Sequence, residues 1–74
     1  MEEQLKALEG HQVSGMIYHG TERRGYVLGM LETTEGTEHV WRIRQTGKQL
    51  SGSFGFLVSE VTKVSGNTIT ICIP

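Results

Sequence analysis

Arg42 and Arg44 are the residues of this 74-residue chain whose spacing points most directly to chemistry. On a strand, positions i and i+2 share a face, so the two guanidiniums stand roughly 7 Å apart. That separation suits tracking successive phosphates or clamping a carboxylate. Arg23 and Arg24 extend the same reading. If the second and third strands pair, Arg24 joins the Arg42/Arg44 face, and Tyr18 or Tyr26 offers a ring for stacking against a base. The competing account has these arginines covering the outer face of a sheet and pairing with Glu22, Glu32, Glu35 or Glu38. A formal net charge of −1 favours the competing account.

A second candidate is the Gly/Ser-rich run Thr46–Gly55, TGKQLSGSFG, whose backbone N–H groups could cradle an anion with Lys48 adding charge. It is not a phosphate-binding P-loop, because Gln49 follows Gly47-Lys48 where Ser or Thr is required. Neither Ser51 nor Ser53 has a glycine two residues away on both sides, so no nucleophile elbow is present. A plain inter-strand loop is the simpler expectation. His11, His19 and His39 do not fall into metal-ligand spacing, and Cys72 is the only cysteine. Glu38 and His39 are neighbours on opposite strand faces and cannot form an acid/base pair directly. No enzyme activity, metal or cofactor is expected. Trp41, the only Trp, reads as a core anchor.

These residues need a scaffold, and composition limits what it can be. A chain this short buries only about 60% of its unfolded surface, so its core is marginal and self-association or a partner would help it. Near-neutral charge provides no strongly basic field for nucleic acid or anionic membrane. The lone cysteine favours a reducing compartment, and MEEQLK lacks the features of a signal peptide. No apolar run approaches the ~20 residues of a membrane helix. The expectation is a soluble, cytoplasmic protein.

The residue pattern then places the elements. Met1, Leu5 and Leu8 share one face of a short helix within residues 1–10, with Glu2 and Glu3 at its N-terminal end and Gly10 as its stop. From His11 the period changes to two: Val13 and Ile17 share one face, Met16 and Tyr18 the other. His19-Gly20-Thr21 reads as a turn. Arg24–Leu31 is a second strand, apolar on both faces and bent at Gly25 and Gly29. Glu38–Gln45 alternates, with Trp41 and Ile43 on one side and Val40, Arg42 and Arg44 on the other. Phe54, Phe56 and Val58 line a fourth strand, and one helical turn at Ser59–Val61 precedes the last. Gly66-Asn67 reads as a two-residue hairpin loop between Val61–Ser65 and Thr68–Ile73. The fold expected is mainly β: a short N-terminal helix, then a five-stranded SH3-like or Sm-like barrel over residues 11–74, all one domain.

Within that order of elements, three stretches resemble WYL domains. They are Ile17-Tyr18 with Glu22-Arg23-Arg24 and Val27-Leu28-Gly29; Val40-Trp41-Arg42-Ile43-Arg44-Gln45; and Phe56-Leu57-Val58 with Val61. The family's Pro after its first Arg and the two basic residues of its closing motif have no counterpart here. The resemblance implies a small regulatory barrel that senses a ligand or nucleic acid; the residues themselves supply Arg23, Arg24, Arg42, Arg44, Tyr18 and Lys48 as candidate contacts. The alternative from the residues themselves is a protein–protein interaction barrel. Exposed strand edges and the two-faced second strand motivate it.

Overall fold

The computed structural model describes residues 1–34, 40–46 and 52–74. Its elements are α1 (Glu2–Leu8), β1 (Gln12–His19), β2 (Glu22–Thr33), β3 (Val40–Gln45), β4 (Ser53–Leu57), a 3₁₀ turn (Val58–Glu60), β5 (Val61–Ser65) and β6 (Thr68–Ile73). The six strands form one sheet in the order β4-β3-β2-β1-β6-β5. Only β1 and β6 run parallel; every other neighbouring pair is antiparallel.

The mainly β character and the single short N-terminal helix are as expected. The five-stranded barrel is not. The helical turn precedes β5 rather than the last strand, and Val61–Ser65 is a full strand paired with β6 through the Gly66-Asn67 loop. That makes six strands among the described residues. The sheet is open, with β4 and β5 at its two edges.

Local chemistry explains the turns. Gly20 and Gly66 both have positive φ (65° and 58°), each at the first position of a two-residue loop, the place where a type II′ hairpin takes glycine. Two bulges curl the sheet further, one leaving Arg24 unpaired opposite Ile17/Tyr18 and one leaving Thr62 unpaired. Close packing of β2 on β3 demands Gly29: a Cβ there would collide with the Arg44 backbone carbonyl.

One face of the curled sheet builds the core. Val13, Val27, Leu31, Trp41, Ile43, Phe56, Val61, Ile69 and Ile71 are buried there with Leu5 of α1. The expected phase of β3 holds, with Trp41 2% and Ile43 0% exposed. The helix is tied down by its apolar face and by backbone hydrogen bonds in which Gly10 N–H donates to Leu31 O and Leu31 N–H to His11 O. Met1, expected on the same helix face, is instead 46% exposed, because it is the N-cap and precedes the turn that packs. No helix among the described residues is long and apolar enough to cross a membrane.

Candidate binding face

Alternation along a strand means that every residue pointing into the core has neighbours pointing out. On β3 those neighbours are Arg42 and Arg44. Register sets Arg42 opposite Glu32 and Arg44 opposite Met30 on β2. Both arginines reach the same carboxylate. Arg42 donates from Nε (3.0 Å) and Nη2 (2.9 Å) to Glu32 Oε2, and Arg44 Nε donates to Oε1 at 2.8 Å. Arg44 Nη2 also lies 3.8 Å from the Met30 sulfur. The Arg44 hydrogen bond, followed by that of Arg42, holds the Glu32 carboxyl below its ordinary pKa against a partial opposing effect of burial. An anion arriving at this pair of guanidiniums meets a carboxylate already seated between them.

Arg24 does not join this cluster. It sits at the far end of β2, eight positions before Glu32, roughly 27 Å of strand away. There it makes an exposed 3.3 Å ion pair with Glu22. Arg23 lies opposite Tyr18 and is exposed. The four candidate arginines therefore form two separate pairs, because β2 pairs with β3 only from Gly29 to Thr33. Lys48 lies outside the described residues, as do the other residues of 47–51 in the Gly/Ser-rich run.

Between the two arginine pairs, the outer face is apolar. Met16 of β1 stands opposite Tyr26 of β2, Ser14 opposite Leu28, and Gln12 opposite Met30. Tyr26 is 65% and Leu28 51% exposed, while Met16 and Met30 are half-buried. An antiparallel sheet with one face on the core ordinarily presents polar side chains on the other. Here β2 presents Tyr26, Leu28 and Met30 instead. The apolar character of both β2 faces was visible in the sequence, but the register that sets Met16 opposite Tyr26 came only with the structure.

A shallow groove of about 350 Å³ continues from the strip. Tyr18, Gly20, Thr21, Thr62, Thr70 and Cys72 line it, so it contains no charged side chain. The parallel pairing of β1 with β6 builds it, by setting Thr70 beside Met16 and Cys72 beside Tyr18. Cys72 Sγ lies 3.8 Å from the Gly20 carbonyl, and the Thr62 hydroxyl donates to Thr70 O at 3.4 Å. Of the candidate contacts, Tyr18 alone belongs to this groove. Among the described residues no cluster of three His, Cys, Asp or Glu has metal-binding geometry.

No family model, curated protein or solved structure significantly matches this chain.

Proposed function

We propose that the chain is a non-catalytic binding module whose outer β1–β2 face docks a polypeptide partner. The observation that carries this is the exposure of Tyr26 and Leu28, flanked by Met16 and Met30, on strands whose opposite face sends Val13, Val27 and Leu31 into the core. Exposed, contiguous apolar side chains on a small soluble domain mark interaction surfaces. The small size of the core is a second reason for a partner. A lone cysteine makes a reducing, cytoplasmic setting the natural one. The resemblance to WYL domains agrees with the broad class, a regulatory module that recognises something rather than transforms it.

Selection of peptides from a display library tests this directly. Peptides that bind the wild-type protein should lose binding to the folded Tyr26→Ser/Leu28→Ser variant. Undiminished binding to that variant would put the contact elsewhere and contradict the reading.

A second reading places an anionic ligand or nucleic acid on Arg42 and Arg44. It is favoured by the exposure of these side chains, 40% and 47%. Mobility shift with single-stranded DNA and RNA at low salt tests it, since phosphate contacts are strongest there. Absence of a shift would remove it.

A further inference from the structure

We infer that the segment docked on the outer face is acidic, with carboxylates on both sides of a short apolar stretch. This rests on the docking reading above and adds the chemistry of the partner. The chain is nearly neutral, yet among the described residues the charges of the helix and of the outer face differ in sign. Among the described residues, those on and beside the outer face include Arg23, Arg24, Lys63, Arg42 and Arg44, five cations, against the carboxylates of Glu22 and Glu32, a formal surplus of three. The helix carries Glu2, Glu3 and Glu9 against Lys6, and it lies on the other side, because Leu5 and Leu8 pack into the core.

The cations bracket the apolar strip. Arg23 stands opposite Tyr18 beyond one end, Arg44 opposite Met30 at the other, and Lys63 flanks it through Thr70, the neighbour of Met16. Glu32 holds Arg42 and Arg44 in place and leaves the Nη1 group of each guanidinium without a hydrogen-bond partner among the described residues. A partner with apolar side chains at its centre and carboxylates at its ends satisfies both parts of this surface. A nucleic-acid strand does so poorly. It carries a phosphate at every step and would lay charge across Leu28 and the two methionines, which provide no donor.

Fluorescence anisotropy with three labelled decapeptides tests the proposal. Each has a Leu-Phe-Leu centre, flanked by Asp, Ser or Lys. The Asp-flanked peptide is expected to bind the wild-type protein at least about tenfold more tightly than the Lys-flanked one at low salt, a gap that narrows as salt screens the exposed charges. Arg23→Glu/Lys63→Glu, whose substitutions lie on exposed positions, should reverse the preference. Equal binding of all three peptides would overturn the acidic partner yet leave the docking face standing. Tighter binding of oligothymidylate than of the Asp-flanked peptide would overturn it in favour of nucleic acid. A dimer of the protein alone that Tyr26→Ser/Leu28→Ser abolishes would place a second copy on the face and also overturn it. If no peptide binds, or if that variant, folded by circular dichroism, binds the Asp-flanked peptide as well as wild type, the docking reading itself fails.

Discussion

Trp41→Ala is the substitution that most sharply tests the packing beneath the binding face. Trp41 is 2% exposed and stands opposite Phe56, itself 2% exposed, within the buried cluster. Truncating a buried Trp to Ala removes its transfer free energy and leaves a cavity, together about 3–5 kcal/mol. At roughly 0.05–0.15 kcal/mol per residue, a domain of this length is stable by only about 4–11 kcal/mol. The substitution therefore removes about a quarter or more of the total and can unfold the protein outright. Arg42 is one position away on the opposite face. Arg42→Ala should cost less than about 1 kcal/mol, because the Arg42 side chain is 40% exposed and Arg44 still holds Glu32. Urea unfolding followed by circular dichroism compares the two variants, since Trp41→Ala has lost the only Trp. In the wild-type protein, Trp emission should be blue-shifted and move to the red on unfolding. A cost below about 1 kcal/mol for Trp41→Ala, or a larger one for Arg42→Ala, would refute the phase of β3.

Other substitutions probe the rest of the account. Glu32 has a lowered folded pKa, so its contribution to stability is present above the unfolded value of about 4.3 and is lost as pH falls through the lower folded value. The wild-type protein should lose stability over that acid range more steeply than Glu32→Gln, as read from urea midpoints against pH; parallel profiles would contradict the shared ion pair. Gly29→Ala should cost about 2 kcal/mol or more, because its Cβ meets the Arg44 carbonyl. Gly25→Ala, with nothing within 4 Å, should stay within about 1 kcal/mol, both read from urea unfolding. Tyr26→Ser/Leu28→Ser should leave stability within about 1 kcal/mol of wild type, since both side chains are exposed.

The parts of the fold that were legible in the sequence are those determined locally. The alternation of Trp41 and Ile43 with the arginines, the Gly20 and Gly66 turns, and the run Ile69-Thr70-Ile71 each follow from neighbouring residues, and the structure agrees. What was not legible depends on which distant strands meet. The parallel return of β6 beside β1 has no local signal, yet it creates the groove at Tyr18 and Cys72 and leaves the sheet open. Arg24 was grouped with Arg42 and Arg44 because pairing of β2 with β3 was anticipated but its register was not. The twelve-residue β2 pairs with β1 along its first part and meets β3 only at its end. For the same reason Glu32 was one of several possible partners for the arginines, while its position opposite Arg42, where it serves both, came only with the register.

The central claim, a docking face on β1 and β2, is tested most directly by mapping backbone amide shifts in ¹H–¹⁵N spectra during titration with the Asp-flanked decapeptide. The account predicts that the largest changes fall on Met16, Tyr26, Leu28 and Met30, with smaller ones at Arg23 and Arg44. Changes confined to the edge strands β4 and β5, or absent from β1 and β2 at saturation, would contradict it.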